Sequence, residues 1–363
     1  MRTDHKLTVL SKNELDRLLS QNVSAGDAYN YISEGLRIRS FRETLSQYYS
    51  GDLKSGLTDG LKLIEKNLSG DSVARKVRDW LSGKYVPDER ADLIKICFAL
   101  GLCEIQANGF LSMTADGGFH LRNPEELAYS YCLRVGKRYA EAASLIAGLK
   151  PLDSAAGKSF SMTKTVADAF QNVRDDKAFH RFYEEQYDNL GKFHNTAYSR
   201  FLFFLDMLID PSTTIHTEPE QKYSVDEVVE IYLRMNLPLD KQTAKMTLLQ
   251  KTIRKYWPNA TNIIKMRSRA EDVTRRALML LYLVTEGAIP DDGGYNEELT
   301  ERELFDEHYW RLNSMLHDCG MSRLDPRGVF DWLVLYCLKT DGNVAMSERM
   351  QNILGIVFGT ETS

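Results

Sequence analysis

Apolar side chains recur every three or four positions along most of the chain, as they do on the buried face of an α-helix. Leu61 and Ile64 are one such pair. Runs of alternating β-branched residues, which are typical of strands, are missing. The best hairpin candidate is the turn at 116–118, between residues 110–111 and 119–121. The pattern predicts an all-α, multi-helical fold with at most one small β-ribbon.

Capping signals predict where several of the helices begin. In a capping box, a Ser or Thr side chain and a Glu side chain three residues later each accept a backbone N–H bond. Such boxes are predicted at Ser11, Ser224 and Thr300. Asn123 is a further predicted N-cap, because Pro124 suits the first helical position and acidic residues follow it.

Stretches rich in Pro, Gly, Ser and Asp separate the helical segments, and the most extensive one begins at Pro151. We place the main domain boundary there. The sequence predicts an N-terminal helical domain over 1–150, a linker over 151–162, and a larger helical-bundle or helical-array domain over 163–363.

Three apolar runs in the C-terminal part, 201–205, 277–284 and 329–338, predict helices that are buried on several sides. The last run belongs to a short internal echo. Residues 123–134 and 325–339 both begin with Asn-Pro or Asp-Pro and end with Tyr-Cys-Leu followed by a cation. Two occurrences do not establish a repeat protein, so the alternative is a chance likeness of two similarly capped helices.

Composition narrows the class of protein. The net charge of -5 and the pI of about 5.9 mean that any nucleic-acid contact must come from a local basic surface. The five cysteines are scattered without a Cys-x-x-Cys pair, which is typical of reduced thiols in a cytoplasmic protein. Neither a leader peptide nor an apolar stretch of membrane-spanning length is expected, so we predict no membrane association.

The most specific pattern lies within residues 57–102, where three helical segments follow one another. In the second segment, Val73, Val77 and Trp80 share one face, and Gly83 ends the helix. A third amphipathic segment runs over 91–102. This stretch, about an eighth of the chain, resembles the repressor-type helix-turn-helix of phage repressors (Cro and its relatives) and of many bacterial proteins.

The resemblance implies a way of contacting double-stranded DNA, with the second helix of the motif in the major groove. It assigns three cations of that helix to the side that faces DNA: Arg75, Lys76 and Arg78. It assigns Lys84 to a contact with a backbone phosphate. The sequence departs from the family where Lys62-Leu63 replaces an early alanine and where the turn at 67–72 is longer. Because charges between 61 and 95 nearly balance, the alternative is a packing domain with a solvated basic face.

A second basic region lies between 241 and 276, where cations greatly outnumber acids. It could bind phosphates of DNA or the acidic face of a partner. The alternative is a solvated face whose cations oppose a helix dipole. The cations of this candidate secondary patch are Lys251, Arg254, Lys255, Lys265, Arg267 and Arg269.

Motifs of catalysis are missing from the sequence, including phosphate-binding glycine loops, nucleophile elbows and zinc-ligand spacings. His180 and Glu184 share a helix face, but a surface hydrogen bond explains that spacing better than a catalytic pair. We therefore predict that the protein is not an enzyme and that it uses neither a metal nor a cofactor.

These observations favour a cytoplasmic, DNA-binding transcriptional regulator with a helical sensor or dimerisation module, and a homodimer or a protein partner is expected. The alternative is a helical protein–protein interaction scaffold without DNA binding. The segments 269–286 and 325–335 also resemble a family of uncharacterised proteins from Firmicutes. That resemblance implies an architecture and a bacterial origin but no activity.

Overall fold

The computed structural model describes residues 9–20, 23–35, 40–87, 89–114, 117–152, 163–190, 195–211, 222–238, 246–287, 300–339 and 344–360. These ranges are mostly helical and contain no β-strand, which confirms the predicted all-α fold. The helices of the first half are α1 Val9–Ser20, α2 Ala25–Asn30, α3 Phe41–Leu45, α4 Leu53–Ile64, α5 Gly70–Leu81, α6 Arg90–Ala99, α7 Glu104–Thr114, α8 Pro124–Arg134 and α9 Tyr139–Ala147.

The second half continues in the same manner. Its helices are α10 Thr163–Phe170, α11 Asp176–Glu185, α12 Asn195–Ile209, α13 Val225–Val228, α14 Leu248–Arg254, α15 Ala260–Arg267, α16 Arg275–Val284, α17 Glu301–Asp318, α18 Val329–Leu338 and α19 Met346–Phe358. Short π-helical turns, Tyr31–Gly35 and Val229–Leu233, continue α2 and α13, and a 3₁₀ turn, Tyr187–Asn189, follows α11.

Most of the predicted helix starts are confirmed. The capping boxes at Ser224 and Thr300 are formed with the glutamates three residues later, and the Asn123 side chain accepts from two backbone N–H groups of α8. The start predicted at Ser11 is wrong, because α1 already begins at Val9. The predicted first strand of the hairpin, at residues 110–111, is wrong, because these residues lie inside α7. Residue 116 of the predicted turn lies outside the described residues.

The chain divides into two compact units. The central unit comprises Arg39–Thr196 with Asp318–Ser322, and the terminal unit comprises Met1–Ile38, Ala197–His317 and Arg323–Ser363. This division differs from the predicted one, because the chain near 151–152 lies within the central unit and residues 153–162 of the expected linker are outside the described ranges.

The N-terminal helices join the terminal unit through aromatic packing. The ring of Tyr31 lies 5.2 Å from that of Trp332 on α18, and Trp332 stacks on Tyr336 at 5.9 Å. The guanidinium of Arg17, on α1, also lies over the Tyr31 ring, 4.4 Å from its centroid. A local sequence pattern contains no trace of these contacts, since they join residues at opposite ends of the chain.

The central unit contains two hydrophobic clusters. The first is formed by α3 to α7 together with Leu133, and Leu57, Val77 and Phe110 are among its buried members. The second joins α8 and α9 to α10 and α11, and in it the ring of Tyr131 stacks on that of Phe179 at 4.7 Å. The first cluster holds the segment that resembles a helix-turn-helix.

The apolar runs predicted to be buried are largely buried. Ala277–Leu283 is buried throughout, and so is Val329–Leu338 except for Asp331, whereas Phe203 on α12 is about half exposed, at 49%. Cys103 is the exposed cysteine, and the other four are buried free thiols. In the part of the chain that the structure describes, no helix combines the length and the apolar character that a membrane crossing requires.

Candidate nucleic-acid interface

Helix α4 is the first element of the helix-turn-helix-like segment. Asp52 caps it by accepting from the Ser55 backbone N–H at 2.7 Å, so the helix begins at Leu53, before residue 57, where the predicted segment starts. Leu53, Leu57 and Leu61 form its buried face. Its backbone lies directly against α6 at Gly60, where a β-carbon would come within 2.2 Å of the Ala99 carbonyl oxygen.

Helix α5 is amphipathic, as the sequence predicted. Ser69 caps it by accepting from the Ser72 N–H. Val73 and Val77 are fully buried, and Trp80 is 5% exposed and meets the Phe41 ring edge-on at 6.5 Å. The expectation that this helix packs through its valines and its tryptophan is therefore confirmed.

The opposite side of α5 faces solvent and carries two arginines. Arg75 and Arg78 are both exposed, with 65% of the Arg78 side chain accessible. Arg78 and Lys84 each lie near Asp79, at 3.7 and 3.9 Å. Within the described chain, Arg75 has no ion-pair partner. These arginines are one turn apart, so a single surface presents both of them.

Lys76 has a different environment from its neighbours. Its Nζ lies 3.0 Å from Glu65 Oε1 and 3.2 Å from Asp92 Oδ2, and its ammonium lies 4.7 Å from the centroid of the Trp80 ring. Only 26% of the side chain is exposed. This placement does not favour Lys76 as a DNA contact, since its charge is already balanced by acids of the turn after α4 and of α6.

Lys95 of α6 completes a four-charge cluster, because it also pairs with Glu65 and Asp92, at 3.2 and 3.4 Å. Burial alone would lower the pKa of Lys95, but the hydrogen bonds and charges of the two carboxylates outweigh it and raise that pKa. The charge cluster Glu65–Lys76–Asp92–Lys95 links α5 and α6 to the end of α4. Sequence periodicity could not reveal it, because its members come from three different elements.

The chain leaves α5 through a sharp turn. Gly83 has φ of 73°, a left-handed conformation that glycine adopts without strain. Lys84 and Tyr85 follow it, each with about two-thirds of the side chain exposed, 63% in both cases. Tyr85 was missed by the sequence reasoning, although an aromatic beside a cation at a helix end is a recognisable signal for stacking on nucleic acids.

The secondary basic patch is distributed over α14 and α15 in the terminal unit. Lys251 is exposed on α14, and Lys255 lies 4.7 Å from the Tyr256 ring. Arg254 is half-buried, with Nη1 3.9 Å from the Met246 sulfur. Arg269 lies 3.9 Å from the Tyr198 ring. The patch is therefore a set of separately anchored cations and not one continuous cluster.

Two further cations of the patch form surface ion pairs. Lys265 lies 2.5 Å from Glu271, and Arg267 lies 3.9 Å from Asp206. Both cations are about half exposed, at 48% and 46%. Trp257, which follows Tyr256 in this region, has a structural role, because its Nε1 donates to the Leu233 carbonyl at 2.8 Å.

Arg276, outside the predicted patch, caps the end of α14. Its guanidinium donates to the carbonyl oxygens of Thr252, Ile253 and Lys255 and lies 4.2 Å from the Phe330 ring. These carbonyls lack partners within the helix, so the arginine satisfies them. It is a structural cation, which sequence counting cannot distinguish from a binding one.

Two open clefts lie among the described residues, one in the terminal unit and one in the central unit. One, of about 440 Å³, is bordered by Leu19, Arg302 and Lys339 in the terminal unit. The other, of about 350 Å³, is bordered by His180 and Glu184 in the central unit. Over the described ranges, no group of three or more His, Cys, Asp or Glu side chains is arranged to hold a metal ion.

Comparison of the chain with protein-family models, with curated proteins and with solved structures finds no match.

Proposed function

We propose that the chain binds double-stranded DNA through the solvent-facing side of α5, as part of a transcriptional regulator. The observation that carries the proposal is the arrangement of α5 itself. Its apolar face is buried among α3, α4 and α6, and Arg75 and Arg78 project from the opposite face. An amphipathic helix of this kind, held on a trihelical support, suits insertion into the major groove.

The charge of the surrounding surface supports the same proposal. Over residues 52–86, exposed cations outnumber exposed acids once buried and half-buried groups are set aside. The exposed cations are Lys54, Lys62, Lys66, Arg75, Arg78 and Lys84. The exposed acids are Asp52, Asp59 and Asp71. Setting the half-buried groups of this stretch aside raises the excess of cations, because those groups are two acids, Glu65 and Asp79, and one cation, Lys76.

In this proposal the cations have different roles. Arg75 and Arg78 contact base edges or phosphates within the groove, since arginine is suited to bidentate recognition. Lys84 contacts a phosphate beside the groove. Lys76 positions α5 through Glu65 and Asp92 and does not contact DNA. The charge cluster thus fixes the helix that presents the two arginines.

The proposal is tested by duplex binding of Arg75→Ala/Arg78→Ala, measured by fluorescence anisotropy at several salt concentrations. We expect the double variant to lose about tenfold or more in affinity, because each cation contact contributes on the order of 1 to 3 kcal/mol. The matched control is Lys177→Ala/Arg181→Ala, which removes two exposed cations from α11 of the same unit. Equal affinities of both double variants and the unchanged protein would exclude α5 as the DNA contact.

The second candidate function is a helical scaffold that binds another protein. Exposed apolar side chains of the terminal unit support it: Phe203 at 49%, Ile231 at 49% and Trp310 at 52%. A scaffold of this kind requires no duplex binding. The salt titration of the unchanged protein separates the two functions, because phosphate contacts make affinity fall steeply with salt.

A further inference from the structure

The two units contain the same network of polar side chains, built from different parts of the chain. In the central unit, the first residue of α6, Arg90, forms an ion pair with Glu126 of α8 and donates to the Gly118 carbonyl. In the terminal unit, the first residue of α16, Arg275, forms a bidentate pair with Asp331 of α18, at 2.7 and 2.8 Å, and donates to a backbone carbonyl, that of Arg323.

The equivalence extends to the backbone around each carboxylate. Glu126 accepts from the His120 N–H at 2.8 Å, and Asp331 accepts from the Asp325 N–H at 2.9 Å. An asparagine of the preceding helix supports each loop in the same way. Asn108 Oδ1 accepts from the Phe119 N–H, and Asn313 Oδ1 accepts from the Leu324 N–H, both at 2.9 Å.

The spacing of these partners is constant, which chance does not explain. The paired acids, amide donors and asparagines are all 205 positions apart (331 − 126, 325 − 120, 313 − 108). Arg90 and Arg275 are only 185 positions apart (275 − 90). The terminal unit therefore has 20 more residues (205 − 185) between its arginine and its asparagine than the central unit has. Residues 288–299 of that stretch lie outside the described ranges. The Tyr-Cys-Leu end of the short echo has the same spacing (336 − 131) and belongs to this internal repeat, whereas its Asn-Pro and Asp-Pro starts are 202 positions apart (325 − 123) and do not.

The repeat also includes the helix that corresponds to α5. Helix α5 ends where Ser82 donates to Arg78 and Gly83 donates to Trp80, and α15 ends where Ser268 donates to Ile264 and Arg269 donates to Met266. The residues after these serines both have left-handed φ, 73° for Gly83 and 57° for Arg269. Helix α15 directly precedes α16 in the chain, as α5 directly precedes α6, so the two helices correspond in the order of the repeat.

The exposed faces of the two helices differ in chemistry. When the ends of the two helices are aligned at Ser82 and Ser268, corresponding positions are 186 apart (268 − 82). Thr261 then occupies the position of Arg75, and Ile264 occupies the position of Arg78. Helix α15 therefore lacks the arginines that suit base readout. Its exposed cations are instead Lys265 and Arg267 near its C-terminal end, and Lys251 is exposed on the preceding helix.

The partners of these cations leave them available to a phosphate. Glu271 and Asp206 are themselves 41% and 59% exposed, so the pairs with Lys265 and Arg267 are surface pairs. Exposed pairs contribute little net stability, and a phosphate can replace such an acid at small cost. Over 246–287 the exposed cations outnumber all the acids of the stretch, so its surface is positive. The cations are Lys251, Lys265, Arg267 and Arg269, and the acids are Glu271, Asp272 and Glu286.

We propose that the terminal unit is a second DNA-contacting module, in which Lys265 and Arg267 of α15 bind backbone phosphates without reading bases. The proposal rests on duplex binding by the central unit. In it, α5 supplies sequence preference and α15 supplies affinity alone, since phosphate contacts position a protein on the duplex and base contacts specify the site. One chain then contacts duplex DNA at two places.

The experiment is the salt dependence of duplex binding by full-length Lys265→Ala/Arg267→Ala. Loss of two phosphate contacts should reduce the slope of log K against log salt by about 1.8, while the relative affinities for different sequences stay unchanged. The matched control is Lys222→Ala/Arg302→Ala, which removes two exposed cations of the terminal unit that also pair with acids. This control should keep the slope of the unchanged protein.

An unchanged slope for Lys265→Ala/Arg267→Ala overturns the second module, and a positive α15 surface then suits an acidic protein partner instead. The double variant Arg75→Ala/Arg78→Ala distinguishes the two proposals, because it tests α5 alone. A loss in that variant with an unchanged slope in the α15 variant refutes only the second module. Absence of duplex binding by the unchanged protein refutes both.

A folding defect is excluded by a second pair of measurements. Thermal unfolding of Lys265→Ala/Arg267→Ala should match that of the unchanged protein, because both side chains are exposed. The charge-conserving variant Lys265→Arg/Arg267→Lys should restore the salt slope. A slope that stays reduced in this variant overturns the assignment to phosphate contact.

Discussion

Gly60 of α4 lies so close to Ala99 of α6 that an added β-carbon would be 2.2 Å from the Ala99 carbonyl oxygen. The neighbouring atom belongs to the backbone and not to a flexible side chain, so it cannot move aside independently. We predict that Gly60→Ala forces α4 and α6 apart and lowers the free energy of unfolding by about 1 to 3 kcal/mol. Urea unfolding followed by circular dichroism measures this change.

Gly70 provides the matched control, because it lies in the same trihelical segment and its nearest neighbour is the flexible Lys62 side chain, 3.4 Å from an added β-carbon. Gly70→Ala should be neutral or stabilise the protein by up to about 1 kcal/mol, since alanine favours the helix. Equal stabilities of the two variants would refute a close contact between α4 and α6.

The charge cluster gives the second prediction. Lys76→Met removes a cation that pairs with Glu65 and Asp92 and leaves Lys95 as their remaining partner. Because the cluster is partly exposed, we expect a loss of about 1 to 2 kcal/mol in unfolding free energy, below the cost of breaking a fully buried pair. Arg75→Met, on the exposed face of the same helix, should change it by less than about 0.5 kcal/mol.

The same two variants separate positioning from DNA contact. Lys76→Met should leave the salt slope of duplex binding unchanged, whereas Arg75→Met should reduce it. A stable Lys76→Met protein with a reduced slope would show that Lys76 binds phosphate directly, as the family resemblance first suggested.

Local features of the helix-turn-helix-like segment could be predicted because they depend on spacing alone. Val73, Val77 and Trp80 recur at helical intervals, and their burial follows from that periodicity. The ion pairs of Lys76 could not be predicted in this way. Its partners Glu65 and Asp92 lie on other elements, so their approach depends on how three helices cross.

Contacts between residues that are far apart in the chain could not be predicted from the sequence. Tyr31 contacts Trp332 across most of the chain length, which is why a domain boundary drawn from linker composition differed from the compact units. The internal echo was visible at Tyr131 and Tyr336, but it did not extend far enough to be distinguished from chance. The constant spacing of the hydrogen bonds around Glu126 and Asp331 provided the missing evidence.

The repeated ion pairs yield a prediction for each unit. Arg90→Met leaves Glu126 without its cation, and Arg275→Met does the same to Asp331. Removing one partner of a largely buried pair costs about 3 to 5 kcal/mol, so each variant should destabilise its own unit by roughly that amount. Hydrogen exchange followed by mass spectrometry assigns the loss to a unit. Faster exchange in both units of either variant would contradict the separate roles.

Glu126 adds a pH dependence to the central unit. Its burial alone would raise the pKa, but the hydrogen bonds and charges of Arg90 and His120 outweigh that effect and hold the pKa below its usual value. The folded state therefore gains stability from this carboxylate above the unfolded pKa, and loses it as the pH falls through the folded pKa. Glu126→Gln should weaken the acid dependence measured by urea unfolding between neutral and strongly acidic pH.

His308 gives a pH prediction for the terminal unit. It is buried, its Nδ1 lies 2.9 Å from the Tyr282 hydroxyl, and burial with the nearby charge of Arg311 lowers its pKa to about 4. The unfolded state takes up a proton below about pH 6.5, and the folded state does not until near its own pKa. Stability from this group is thus complete above pH 6.5 and declines by on the order of 3 kcal/mol as pH falls to 4.

The measurement for His308 is the urea midpoint at neutral and at mildly acidic pH. His308→Gln, which retains a polar group near Tyr282, should show a smaller decrease than the unchanged protein. His180→Gln is the control, because that histidine is exposed on α11. A full acid-dependent decrease in His308→Gln would show that other groups cause it.

The terminal unit is built from three separate stretches of the chain, and this has a consequence for folding during synthesis. Ribosomes deliver a chain from its N-terminus, and domains generally fold as their residues emerge. Nearly all of the central unit is available once Thr196 has been added, with Asp318–Ser322 joining later. The α2 segment, by contrast, has to wait for its partner α19, whose last residue is Phe358. Helix α2 is therefore synthesised long before the helix that it packs against, and its apolar side stays without that partner until α19 has left the ribosome.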